Sequence, residues 1–176
     1  MSKMIAKGYS LWLMPPGEYY KRFADLIKTL AQKYGGPVFQ PHITLLGELM
    51  AKFPYSEEES IRLTEELVTG QKPFSIVLKE IDYQDFYFRA LFVKVDVTKP
   101  LLGLHEKAKE TFGIQNIPPF MPHLSLLYGN YPVYLKEKII KDIGRNQSAR
   151  FEVKSVHLVK GGEVEEWQIV KEFPLE

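Results

Sequence analysis

Apolar positions along this 176-residue chain alternate between a period of two and a period near 3.6, which predicts strands interleaved with helices. "YSLWLMP" (Tyr9 to Pro15) reads as a strand, ended by Pro15 and Pro16, which also suit the entrance to a helix. From Glu18 to Tyr34 the apolar residues Tyr19, Phe23, Leu26, Ile27, Leu30 and Tyr34 recur at helical spacing, and Gly35-Gly36 supply a stop. A short apolar strand follows around His42 to Leu46. Ser56 with Glu59 three residues on forms a capping box for a second helix, which carries Ile61, Thr64, Leu67 and Val68 and closes at Gly70. "FSIVLKEIDY" is then a strand, so the first half reads β-α-β-α-β.

The second half repeats that order. "FYFRALFVKVDV" reads as a strand rich in aromatic and β-branched residues, "LLGLHEKAKETFG" as a helix ending at Gly113, and "PHLSLL" as a strand. "YLKEKIIKDIG" is the next helix, "RFEVKSVHLVKG" the next strand, and "EEWQIVKEF" one further strand. Shifting the first half by about 80 residues lays each element on its counterpart, which marks an internal duplication with repeats near 8–82 and 86–160 and a terminal strand at 165–173. The short links after "FSIVLKEIDY" and around Gly161-Gly162 favour antiparallel neighbours. The expectation is a single α+β domain of two pseudo-symmetric lobes. Each lobe would be an antiparallel sheet with helices on its outer face, and the two histidine strands would face one another across the groove between lobes.

Composition bounds the chemistry. At 45% hydrophobic content the chain can bury one substantial core. Basic and acidic side chains nearly balance, 23 against 22, so no long polyanion groove is advertised, although a small anion needs only a few placed donors. The absence of cysteine excludes disulfides, thiolate metal sites and a cysteine nucleophile. No stretch approaches the roughly 18 apolar residues of a membrane span, and the N-terminus lacks a signal-like apolar run, so a cytoplasmic protein with no membrane contact is expected, with a monomer as the default since nothing in the sequence reads out an oligomeric state.

The duplication is most pointed at "FQPHITLLG" (Phe39 to Gly47) and "FMPHLSLLYG" (Phe120 to Gly129), both Phe-x-Pro-His-apolar-hydroxyl-Leu-Leu. Side chains alternate along a strand, so His42 and Thr44 share one face, as do His123 and Ser125. Two imidazoles without a cysteine or carboxylate beside them are poor metal ligands but a competent acid and base pair near neutral pH. Two hydroxyls can donate to oxygens where negative charge grows. Cleavage of a phosphodiester uses both services, so no metal or cofactor is expected.

These residues resemble the 2H phosphoesterase superfamily, defined by two His-x-Thr/Ser-x motifs in a duplicated, LigT-like fold. "PHITLL" and "PHLSLL" both satisfy that pattern. The likeness is nearest to the cyclic phosphodiesterase branch, through "YSLWLMP", "FYFRALFV", "PFMPHLSLLYG" and the late tryptophan of "EEWQIV". The resemblance implies hydrolysis of ADP-ribose 1'',2''-cyclic phosphate to the 1''-phosphate and of nucleoside 2',3'-cyclic phosphates to 2'-phosphates, reactions that follow tRNA splicing. It makes His42 and His123 the acid and base, and Thr44 and Ser125 the phosphate-binding hydroxyls. RNA ends, as substrates of an RNA 2',3'-cyclic phosphodiesterase or a 2'-5' RNA ligase, form the rival reading. A non-catalytic nucleotide or RNA binding module is the third.

Tyr128 breaks the symmetry, because Gly47 stands at the matching place in the first motif. Its phenol could bind phosphate or its ring stack on a base. Trp12 and Trp167 are further candidates for stacking, each equally a core anchor, and Arg89 could reach a phosphate or a base. His105, on the apolar face of its helix, and His157, in a late strand, have no counterparts in the first half and read as structural.

Overall fold

A computed structural model describes residues 4–47 and 55–176. Among these, eight strands and four α-helices follow one another as β1 (Ala6–Leu13), α1 (Gly17–Tyr34), β2 (Ile43–Leu46), α2 (Glu57–Val68), β3 (Phe74–Asp82), β4 (Leu91–Val95), α3 (Lys99–Thr111), β5 (His123–Leu127), α4 (Val133–Ile143), β6 (Asn146–Val153), β7 (Ser155–Gly162) and β8 (Gln168–Pro174). The punctuation read from sequence acts as expected. Gly35 ends α1 in the left-handed region at φ 81°, its N–H on the Ala31 carbonyl. Ser56 and Glu59 close a reciprocal capping box at α2.

The strands form one antiparallel sheet in the order β6-β3-β4-β5-β2-β1-β7-β8. The fold is thus α+β and antiparallel, as expected, with two four-stranded halves joined through β2 and β5. The two histidine strands are therefore sheet neighbours, in register at Ile43 and Leu124, rather than opposed across a gap. The repeats also interlock. β3 of the first repeat pairs with β4 of the second, and β7 of the second pairs with β1 of the first. Helices follow suit, α1 packing on β5 and α3 on β2.

β1 runs three residues earlier and ends two residues sooner than "YSLWLMP", and three further strand boundaries differ from the sequence reading. "FYFRALFVKVDV" begins not as a strand but as a 3-10 turn at Tyr87–Arg89, because the Arg89 N–H returns to the Phe86 carbonyl and the Gln84 N–H takes the Arg89 carbonyl. "RFEVKSVHLVKG" divides at Lys154 into β6, which pairs with β3, and β7, which pairs with β1. "EEWQIVKEF" opens with a 3-10 turn at Val164–Glu166 before β8.

One face of the sheet is apolar. Leu11, Leu13, Ile43, Leu45, Leu124 and Leu158 are all essentially inaccessible and pack with Phe23 and Ile27 of α1, Leu67 of α2 and Leu104 of α3. The period of two then forces His42, Thr44, His123 and Ser125 onto the other face. No helix among the described residues is long and apolar enough to cross a membrane.

Candidate active site

Each motif histidine is held by the same local device. His42 Nδ1 lies 2.7 Å from the Gln40 carbonyl and His123 Nδ1 2.9 Å from the Met121 carbonyl, in both cases the residue two before. Between them stand Pro41 and Pro122, and a proline biases the residue preceding it toward extended backbone, which aims that carbonyl. Donating to a carbonyl places the proton on Nδ1 of the neutral ring and leaves Nε2 as its acceptor nitrogen.

Register brings the two pairs together. With Ile43 opposite Leu124, the same antiparallel register carried one residue either way sets His42 across from Ser125 and His123 across from Thr44. All four line one cavity of about 350 Å³. The described residues around it include Lys7 and Arg89 but no aspartate or glutamate.

Neighbouring strands supply matched ring supports. Trp12, opposite Thr44 on β1, lies flat on His42 with centroids 3.6 Å apart and planes 8° from parallel. Phe92, opposite Ser125 on β4, meets His123 edge-on at 5.2 Å. Burial pushes the His42 pKa down to about 4, against the pull of its Gln40 bond and with a further push from the positive charge of His123. Burial also lowers His123, opposed by the Met121 bond and reinforced by the Arg89 guanidinium. Both imidazoles are therefore neutral near pH 7 before an anion arrives.

A model of the family described as "Cyclic phosphodiesterase-like protein" matches residues 6–175. The chain belongs to that family. The "Cyclic phosphodiesterase" of Arabidopsis thaliana is 29% identical over 120 residues, which span 68% of this chain and 64% of that protein, short of two thirds of its length. The protein TT0787 of Thermus thermophilus superposes with a TM-score of 0.63 at 20% identity, covering 98% of both chains. E. coli LigT complexed with 3'-AMP superposes at 0.61 and 16% identity, covering 96% of this chain and 98% of its own. At such identities the likeness is one of fold, a LigT-like fold.

The cyclic phosphodiesterase-like frame gives the remaining residues distinct places. Trp12 has a face committed to His42, so it supports a motif ring rather than offering that face to a base. Tyr128 is buried, with Phe39 stacked on it at 3.9 Å and Tyr87 roughly parallel at 6.3 Å, so neither face is open to a base. Burial raises its pKa, an effect opposed by the neighbouring Ser125 hydroxyl, and the phenol stays protonated. Trp167 lies half-buried on the cavity wall, its indole N–H on the Gly162 carbonyl and its ring tilted against Phe88 at 6.2 Å. Arg89 lines the cavity near His123, tethered by Nη1 to Gln84 Oε1 at 3.1 Å.

The hydroxyls are not equivalent. Ser125 Oγ donates to the Phe88 carbonyl at 3.0 Å, whereas the Thr44 hydroxyl has no hydrogen-bond partner among the described residues. Sequence reasoning passed over Phe88, which lies hidden in what reads as a strand. It also passed over the Gln40 and Met121 carbonyls, although the variable position of the duplicated Phe-x-Pro-His marks them. His105, read as structural, lines the cavity as well. His157 remains outside the lining, beside Trp12 on β7 and 3.8 Å from Glu172.

Proposed function

We propose that this protein is a metal-independent cyclic phosphodiesterase that hydrolyses small cyclic phosphates. The substrates are ADP-ribose 1'',2''-cyclic phosphate, opened to the 1''-phosphate, and nucleoside 2',3'-cyclic phosphates, opened to 2'-phosphates. The observation that carries this reading is the matched pair of imidazoles, each with Nδ1 on a backbone carbonyl and each lining one cavity beside a hydroxyl. The lack of a carboxylate among the described lining residues suits an anion.

In the reaction, Nε2 of one neutral imidazole takes a proton from the attacking water. The other imidazole, protonated as the phosphate enters, gives its proton to the sugar oxygen that leaves phosphorus. Thr44 and Ser125 donate to the non-bridging oxygens as charge accumulates there, Ser125 turning from the Phe88 carbonyl to do so. Lys7 and Arg89 at the cavity wall favour the anion without contributing a proton. No group of three or more histidine, aspartate or glutamate side chains among the described residues could hold a metal ion.

The test is a panel of 2',3'-cyclic nucleotides, ADP-ribose 1'',2''-cyclic phosphate and an RNA ending in a 2',3'-cyclic phosphate, run with EDTA and read by phosphorus NMR. Ring opening of the small substrates to the stated monoesters, undiminished by EDTA, is expected. Turnover that appears only with added divalent metal, or only on the RNA, would overturn the reading.

A further inference from the structure

A third imidazole touches both motifs and belongs to neither. His105 projects from α3 with 4% of its surface exposed. Its Nδ1 meets the Leu45 carbonyl at 2.8 Å, and its ring lies flat on Phe120, centroids 3.8 Å apart and planes 7° from parallel. Leu45 follows Thr44 on β2. Phe120 precedes Met121, whose carbonyl holds His123.

The duplication explains why a ring is needed there. The phenylalanine that opens the first motif, Phe39, stacks on Tyr128, five residues beyond the second histidine. By the same rule Phe120 would stack on the residue five beyond the first histidine, but that residue is Gly47, which has no ring. His105 supplies the missing surface from a helix instead. Its help matters because residues 114–122, leading into β5, form no regular secondary structure, and β4 reaches them only at their end, where the Val95 N–H donates to the Pro122 carbonyl at 3.3 Å. Met121 is also held through its sulfur, which accepts from Gln84 Nε2 at 3.4 Å.

We propose that His105 is a positioning residue for His123. Its ring fixes Phe120, hence the Met121 carbonyl that sets the tautomer and direction of the His123 ring, while its bond to Leu45 keeps that carbonyl in register with Thr44. The kinetic consequence rests on the proton-transfer role proposed for His123; the geometric consequence does not. Burial lowers the His105 pKa, so near neutral pH the device adds no like charge beside the two motif histidines.

The experiment compares His105→Leu, which removes the flat ring and the donor, with His105→Phe, which keeps the flat ring. Phe120→Leu breaks the same stack from the half-buried side. Ring nitrogen NMR at about pH 8, where ordinary imidazoles are neutral, reads the His123 tautomer directly. The wild type is expected to show Nδ1–H alone, and His105→Leu and Phe120→Leu a mixture of tautomers. His105→Phe is expected to keep the wild-type signature. In turnover, kcat is expected to fall roughly tenfold or more in the two leucine variants with KM nearly unchanged, the pattern of a misaligned reacting group. If His105→Leu does not fold, Phe120→Leu carries both readings. A wild-type tautomer signature in a folded leucine variant would overturn the proposal, as would an equally mixed His123 tautomer in His105→Phe. Should the protein turn over no cyclic phosphate, the NMR arm still decides, which separates failure of this inference from failure of the proposed activity.

Discussion

Trp12 lies flat on the His42 ring, whereas its counterpart Phe92 meets His123 edge-on, so two nearly identical motifs place their imidazoles in unequal surroundings. A protonated His42 would face the indole surface at 3.6 Å, where the ring quadrupole favours a cation. That support acts only on the charged form and is absent from the neutral resting pair. Both motif histidines, Thr44 and Ser125 were legible in the sequence because a duplicated pattern is its own control: packing alone has no reason to write Pro-His-apolar-hydroxyl twice. The stacking partners were not legible, because face-to-face contact depends on which strands become neighbours. His42→Ala and His123→Ala are each expected to lower kcat by ~10²–10⁴-fold, the usual worth of a positioned proton-transfer group. Circular dichroism is expected to show both variants folded. Near-native turnover in either would remove the two-histidine reaction from the proposed function.

At the scale of elements, periodicity located every helix and most strands, and its largest error fell where backbone leaves a regular path to serve the cavity. Tyr87–Arg89 carries strand-like residue types, yet forms a 3-10 turn that presents Phe88 and Arg89 to the site. Residue preference reports what fits a pleated surface, and a turn fixed by distant partners overrides it. One such partner is Lys136 of α4, 2% exposed, whose Nζ donates to the Gln84 carbonyl at 2.9 Å. Gln84 in turn holds Arg89 through its own N–H and its side-chain oxygen. Lys136→Met keeps the stem but leaves that carbonyl unmatched, so a loss of about 1–3 kcal/mol in a urea titration is expected. A raised KM is expected with it, as Arg89 loosens. An unchanged urea midpoint together with an unchanged KM would show that the turn does not depend on Lys136.

For the whole molecule, the duplication was visible in sequence but the exchange of β3 and β7 between repeats was not, since equal spacing is compatible with either pairing. The pairing of β2 with β5 places the two motifs at the sheet's centre, where burial governs their titration. It lowers the pKa of His42 to about 4 from an ordinary 6.5 and also lowers His123, His105 and His157, so every histidine of the chain binds its proton less readily folded than unfolded. Between those values the unfolded chain carries more protons than the folded one, and stability rises with pH over that interval. The contribution is fully present above pH 6.5 and is lost as pH falls toward 4. For His42 alone the shift corresponds to about 3 kcal/mol. The exposed carboxylates Glu80, Glu106 and Asp142, lowered by hydrogen bonds from Lys94, Lys109 and Lys138, act only below their own ordinary values of 3.8 to 4.5. They leave the interval between pH 6.5 and 5 to the histidines. Thermal unfolding followed by circular dichroism is therefore expected to show a level Tm above about pH 7 and a steady fall from pH 6.5 downward. His42→Gln, which cannot take up that proton, is expected to make the fall shallower. A Tm that stays level from pH 7 to 5 would mean that the imidazoles are hydrated in the folded protein and that burial does not set their charge.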